Sequence, residues 1–479
     1  MKDQDLLYTS AVDLLIAYRN RKISPVEVTK AILNHIEETN PALNAFAQFA
    51  PERALADARN AEVLWGTGDV DKPLLGVPVT IKDTVAMRGM PPRSGSNTTA
   101  GAKVTRDAPV AQRLVNSGTV VLGKTTTSEY GWSGVSWCPQ TGKTHNPWQL
   151  EMNAGASSAG AGAAAAAGYG PLHQGGDGAG SIRMPAHFCG IYGLKPTYGR
   201  VPISPVALSD LTATVGPMTR SVADAALMLD VMAGDHPADF TTLPKPQYSY
   251  YERLGERPSI RRIAYSADLG HARVDPEVAE ISMAAAQDLA KELDCELQMV
   301  TPDWGPKGPD IERLLWAAHM TRAEPNLAKW ESQMDPGLVA CIKDGIGITM
   351  SQYMAGKARK YEYVTEIHRW FEDYDLLLTP AVSVTAFPLP DLMPQDWPQH
   401  NWDWLQWAEF SYPFNLSGSP AASIPAGLTK AGLPVGLQIV GRRMDELTVL
   451  QASARFENIR PFTTRPTAYL SARKEAQHA

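Results

Sequence analysis

Apolar positions recur with helical spacing across residues 1–70. Ser10 is placed to cap AVDLLIAYRN, and Ser24-Pro25 opens VEVTKAILNHIEETN with proline in the first turn. Val28, Ile32, Leu33 and Ile36 then fall on one helical face. A third helix is expected from Glu52 to Trp65. The stretch reads as a helical layer over a sheet and carries no chemistry of its own. From Leu75 the period shortens. GVPVTIKD and TVVLGKT read as strands, PVAQRLVNSG and SAGAGAAAAAG as helices. A helix capped by Ser221, SVADAALMLDVMAG, follows with Gly234 near its end.

Residues 237–258 are rich in Pro, Tyr and polar residues and are expected to cross the surface. RRIAYSAD restarts the alternation, followed by a helix over Pro276–Leu293 and the strand ELQMV. Trp304–Tyr374 reads as mostly helical, and the Pro- and Trp-rich stretch Ser383–Asn401 as irregular. ASIPAGL, PVGLQIVG and the helix DELTVLQASARFEN restore the α/β pattern at the end. Strands interleaved with helices predict an α/β fold, a mixed twisted β-sheet covered on both faces by α-helices. No internal repeat is visible. Strand-type sequence on both sides of the variable middle argues for a single large domain. Its expected parts are a helical layer (1–70), a chemistry-bearing core (71–236), a mostly helical substrate-shaping region (237–400) and C-terminal strands and helix that complete the sheet (401–479).

Composition narrows the function. The 479-residue chain is 44% hydrophobic and 20% charged, enough apolar content for a large core. Its net charge of −7, without dense Lys/Arg clustering, excludes nucleic acid as an expected direct ligand. Met1–Tyr8 is polar and acidic and lacks the basic start and apolar run of a secretory signal. No run approaches the roughly 20 apolar residues of a membrane span. The Ala/Gly stretch 160–168 reads instead as a closely packed buried helix. Cys138, Cys189, Cys295 and Cys341 lie far apart without a CxxC pair. They are expected to be reduced, in a cytoplasmic protein, with Cys189 as a small core residue. No metal-ligand cluster or cofactor is expected.

The chemistry concentrates in NAGASSAGAGAAAAAGYGPLHQGGDGAGSIRMPAHFCGIYGLKPTYGR, residues 153–200. Glycine this dense disfavours order unless backbone geometry requires it. In GGDGAGS, a glycine run leading into Ser181 lets several N–H groups converge on one spot. Such a nest suits the oxyanion of an acyl intermediate, and would suit a phosphate equally. The phosphate reading fails on detail. Gly155-x4-Gly160 is followed by Ala161 rather than a Walker Lys-Ser, and Gly160-Ala-Gly162 follows no strand directly. An alcohol needs an adjacent base to act as a nucleophile. There is no GxSxG elbow, and His173 and His187 flank the region without forming a triad motif. Lys82 ends an apolar strand, where burial would leave it neutral. A strand-end lysine reaching solvent is the other reading of the same position.

GVPVTIKD, GASSAG and GGDGAGSIRMPAHFCGIYGLKPTYGRVP together resemble the amidase signature family, as do HNPW, VGPMTRSVADAALMLDVMAG and PVGLQIVG. The resemblance is dense over residues 70–235 and looser from Tyr374 to Glu457. It implies a Ser-cisSer-Lys triad with Ser181 as nucleophile, Ser157 as bridging serine and Lys82 as base. It further implies a cis peptide between Ala156 and Ser157. The backbone N–H groups of Gly178, Ala179, Gly180 and Ser181 would form the oxyanion hole. Ser158, Asp177 and Arg183 would support the loop. The chain departs from the family at Ala156 and Ala179, where glycine is usual. A methyl group there is tolerated if φ stays negative.

The loop TTSEYGWSGVSWCP occupies the place where the family lines its acyl pocket, which nominates Tyr130, Gly131 and Trp132 for substrate contact. Trp316, Met320 and Phe414 are added from further along the chain. The implied function is hydrolysis of small amides or anilides, with carbamates and esters sharing the same tetrahedral chemistry. A homodimer is the expected assembly. The alternative is the glutaminase-type amidase component of a tRNA-dependent amidotransferase, which usually carries Gln where this chain has Met184.

Overall fold

The computed structural model describes residues 6–99, 103–207 and 211–470. The first two predicted caps form as read. Ser10 Oγ accepts from Asp13 N, and Ser24 and Glu27 make a reciprocal capping box at the start of helix Pro25–Leu43. Each such cap contributes on the order of 1 kcal/mol to its helix. Asn44 ends that helix in the left-handed conformation, with φ of 53°.

The chain then turns into β1 (Phe46–Phe49), which interrupts the expected all-helical layer. Four residues between two strong helices carry too little alternation to be read as a strand. Its pairing with a distant partner is what creates it. Next come β2 (Pro78–Lys82) and β3 (Val120–Thr125), then a small hairpin of β4 (Trp137–Cys138) and β5 (Gly142–Lys143). The glycine-rich block supplies β6 (Leu172–Asp177), β7 (Tyr192–Lys195) and β8 (Thr214–Thr219). After these come β9 (Ile263–Tyr265), β10 (Leu297–Met299), β11 (Leu376–Pro380), β12 (Ala421–Leu428) and β13 (Pro434–Gly441).

Eleven of these strands form one mixed sheet in the order β1-β3-β2-β6-β8-β7-β12-β13-β11-β9-β10. β2 runs parallel to both β3 and β6, whereas β6 and β8 are antiparallel. Both faces are covered, as alternate residues show. Leu376 and Leu378 of β11 join one apolar core while Leu377 between them joins the other. β9 divides in the same way, with Ile263 and Tyr265 on one side and Ala264 on the other. The first core holds helices Val222–Met232, Pro276–Glu292 and Glu446–Ile459; the second holds the aromatic-rich helices Gly308–Met320, Pro336–Ile346 and Met350–Asp373. No described helix is long and apolar enough to cross a membrane.

The stretch 237–258 is more than a surface crossing. Asp230 accepts from Ser249 Oγ and from the N–H groups of Tyr250 and Tyr251, and Tyr250 is fully buried. For the site, the important feature is that β2 and β6 lie side by side and parallel, so Lys82 and Asp177 end neighbouring strands.

Candidate active site

Lys82 is the last residue of a strand buried on both faces and is only 3% exposed. Its main-chain N–H donates to Gln174 Oε1 at 2.9 Å, which pins the strand end to β6. Nζ has three polar neighbours: Ser157 Oγ at 2.8 Å, Ser158 Oγ at 3.0 Å and the Gly176 carbonyl at 3.2 Å. Burial lowers its pKa to about 7, opposed only by the charge of Asp177.

The hydrogen-bond inventory orients a neutral amine here. Gly176 O can only accept. Ser158 Oγ gives its proton to Gly176 O at 3.0 Å and accepts from Gly176 N at 3.1 Å. Nζ therefore donates to Gly176 O and to Ser158 Oγ. The lone pair that remains on a neutral amine faces the Ser157 hydroxyl.

Gly155, with φ of +75°, precedes a cis Ala156–Ser157 peptide bond. A Cβ at Gly155 would fall 2.6 Å from Pro185 Cα, so this turn requires glycine. Helix Ala159–Ala166 begins directly afterwards and is buried throughout. Ser158 N donates to Ser181 O at 3.2 Å, joining the two serine-bearing segments. Ser181 is 3% exposed, and its hydroxyl makes no hydrogen bond among the described residues.

The loop between β6 and helix Arg183–Cys189 winds around the Asp177 carboxylate. That group accepts from Gly180 N at 2.7 Å, Ile182 N at 3.1 Å and Asn415 Nδ2 at 2.8 Å. Burial opposes its charge, but the Arg183 guanidinium at 3.0 Å overrides this and holds the carboxyl below its usual range. Arg183 also donates to Ser411 O, Gln438 Oε1 and Asn415 Oδ1. The C-terminal third of the chain thus clamps the loop. One expected oxyanion donor is corrected here: the Gly180 N–H is already taken by Asp177. The N–H groups of Gly178, Ala179 and Ser181 make no hydrogen bond among the described residues. Neither Ala156 nor Ala179 has positive φ, so their methyl groups cause no backbone conflict. Gly180, with φ of +121°, does need its hydrogen, since a Cβ would fall 2.5 Å from Ser411 Cβ.

Lys82, Ser157 and Gly178 open onto a cavity of about 420 Å³ that also takes in Tyr130, Gly131, Trp316 and Met320. A Cβ on Gly131, whose φ is +71°, would lie 3.1 Å from Ser157 Oγ. Glycine leaves that space open.

With this geometry in place, comparison with known proteins is decisive: the Amidase family model matches residues 27–450. The chain belongs to the amidase family. It is an amide hydrolase acting on non-peptide C–N bonds. An acylamidase of Rhodococcus erythropolis is 36% identical, covering 98% of this chain and 99% of that one. A component of the glutamyl-tRNA(Gln) amidotransferase of Moorella thermoacetica is 33% identical, over 95% of this chain and 97% of its own. The crystal structure of a bacterial aryl acylamidase superposes with a TM-score of 0.88 at 27% identity, covering 97% and 98% of the two chains.

Two expected pocket residues of this amidase lie elsewhere. Trp132 is buried behind the cavity wall, with its indole donating to Asp335 at 3.1 Å and its carbonyl accepting from Trp316 and Trp404. Phe414 is fully buried and packs edge-on against Trp304. Aromatic residues next to a pocket in sequence bury a large area wherever the fold offers a core, and here the second core took both. Conversely, the apolar loop Pro202–Ala207 lines the amidase cavity together with Val85, Val110 and Val215. Its only sequence signal was the VPISPVA run. Arg322 and His319 also line it and carried no signal at all.

The histidines of the glycine-rich block are structural. His173 bonds Thr80 Oγ1 and Gly170 O, and burial lowers its pKa to about 3. His187 bonds Val384 O and Gly436 N, and burial lowers it to about 4. Cys189 donates to Ala154 O, and burial pushes its thiol up. Among the described residues no three His, Cys, Asp or Glu side chains converge as a metal site.

Proposed function

We propose that this amidase hydrolyses small acylated amines and anilides through an acyl-enzyme on Ser181, with Ser157 and neutral Lys82 as the proton relay. The 2.8 Å approach of Lys82 Nζ to Ser157 Oγ carries the reading. Ser157 passes its proton to the Lys82 lone pair and takes the proton of Ser181 as that oxygen attacks the carbonyl carbon. The tetrahedral oxyanion lies toward the N–H groups of Gly178, Ala179 and Ser181. Lys82, now an ammonium, returns a proton through Ser157 to the departing nitrogen, the C–N bond breaks, and the acyl group stays on Ser181. Water repeats the sequence, giving its proton to the relay and releasing the acid. Ser157 and Ser181 share no hydrogen bond among the described residues, and the relay requires one to form when substrate fills the cavity.

Mostly apolar walls support an apolar or aryl substrate body, and likeness to an acylamidase and an aryl acylamidase supports the same class. Esters and carbamates react at the same carbonyl and belong to the same range. Four free cysteines support a reducing, cytoplasmic setting. Likeness to an amidotransferase component favours glutamine as the rival substrate. A rate panel of anilides, primary amides, carbamates and glutamine with the purified chain alone separates the two. Anilide turnover is expected; glutamine turnover that requires added partner proteins would replace this reading with the rival one.

A further inference from the structure

Away from Lys82 and Asp177, an arginine interrupts the apolar wall of the cavity. Arg322 stands exposed at its mouth and lines it together with Met320, Ile203 and Val206. Its Nη1 donates to His319 O and its Nη2 to Tyr130 O, both at 3.1 Å. Both acceptors are neutral carbonyls. Among the described residues no carboxylate pairs with Arg322. Among the described residues the one carboxylate that lines the cavity, Asp177, is engaged by Arg183. Of the five guanidinium N–H donors, two are used. The remainder make a fork with no acceptor among the described residues.

The two carbonyl contacts also aim that fork. Tyr130 is one peptide unit from Gly131, and the Cβ that Gly131 lacks would lie 3.1 Å from Ser157 Oγ. By the bond lengths and contacts between them, the guanidinium nitrogen that holds Tyr130 O stands within about 12 Å of the Ser157 hydroxyl. That is the span of a short acyl chain or one aromatic ring with its substituent.

We propose that Arg322 is a specificity-determining residue that selects amides carrying a carboxylate at the end remote from the scissile bond. This rests on the active-site reading above. A planar guanidinium meets a carboxylate through two parallel charge-assisted hydrogen bonds, and an isostere without the charge leaves the fork unsatisfied. The carboxylate can be carried by the acyl part or by the aryl leaving group.

Two substrate arms distinguish these sources. One uses monoanilides of succinic, glutaric and adipic acids, the other the acetanilide of 4-aminobenzoic acid. Each is paired with its methyl ketone isostere, and kcat/KM is measured for wild type, Arg322→Gln and Arg322→Lys. In wild type the carboxylate is expected to win by about tenfold or more on one arm. The ratio falls toward one in Arg322→Gln and is partly restored in Arg322→Lys, a point charge without the fork. A wild-type ratio near one on both arms overturns the proposal. So does an unchanged ratio in Arg322→Gln, even if both rates drop, because Arg322 would then only tie helix Gly308–Met320 to the Tyr130 loop. If Arg322→Gln does not fold, the wild-type ratio and its decline at high salt decide. Hydrolysis retained by Ser181→Ala would defeat the active-site reading instead, whatever the ratios.

Discussion

Lys82 Nζ lies 2.8 Å from Ser157 Oγ, although the two residues belong to a central strand and to the turn that opens a buried helix. Ser158 and Gly176 also accept from Nζ, so in the neutral amine the lone pair is left for Ser157. In the proposed relay, a lysine held this way takes the part of a histidine base.

Replacing Ser181 by Ala removes the nucleophile and none of the fold's contacts beyond a hydroxyl. Turnover of any anilide should fall by at least about 10³-fold. The covalent adduct that a serine-reactive phosphonate adds to the intact protein mass should vanish with it. Circular dichroism should be unchanged. Retained activity would rule out Ser181 as the nucleophile.

The pH profile follows from the lowered pKa of Lys82. The relay needs the neutral amine, so kcat/KM should be low in acid, rise through pH about 7 and level off above it. Lys82→Met should cost about 10²–10⁴-fold at the plateau and abolish the acid limb. A wild-type rate that stays flat down to pH 5.5 would count against lysine as the base.

Ser158 passes no proton in this scheme, but it holds one Lys82 hydrogen in place. In Ser158→Ala the amine can rotate and its lone pair loses its direction. A fall in kcat of about 10-fold or more with little change in KM is expected. A loss confined to thermal stability would assign Ser158 a packing role only.

Arg183 carries the loop that presents Ser181. Arg183→Met leaves Asp177 buried without its cation and should cost about 3–5 kcal/mol in denaturant unfolding. The sign with pH is fixed by the depressed Asp177 carboxyl. Its charged form stabilises the fold above the unfolded value of about 3.9, and this is lost as pH falls through the lower folded value. The variant should therefore unfold in acid at a higher pH than wild type. Identical acid unfolding curves would show that the pair is not what holds the loop.

Phe414 and Met320 should separate core from pocket. Phe414→Ala empties a fully buried site and should cost about 3–5 kcal/mol while altering all substrates alike. Met320→Ala enlarges the cavity and should shift kcat/KM toward bulkier acyl groups. The reverse pattern, specificity changing at Phe414, would return that residue to the pocket.

Much of this protein was legible in its residue pattern. Local rules govern the early caps: Ser10 and Ser24 were read from one turn of sequence and form within one turn of helix. The alternation of strand and helix from Leu75 onward reports a two-sided sheet because burial imposes its period on each element separately. The glycine-rich turns were legible too, since backbone geometry that only glycine allows leaves a mark on composition, as at Gly155 and Gly180; the roles proposed for Lys82, Ser157 and Ser181 came from the family resemblance.

Pairings across the chain decided the rest. β1 exists because β3 offers it an edge. The Gly180 N–H is spent on a carboxylate three residues away that Arg183 and Asn415 hold in place. Trp132 turned away from the cavity toward Asp335, while Arg322 was brought to its mouth through a carbonyl 192 positions earlier. Such contacts depend on which surfaces meet when helices and sheet close over one another. No local periodicity encodes that choice, so the sequence determined the chemistry and the tertiary structure determined what the chemistry faces.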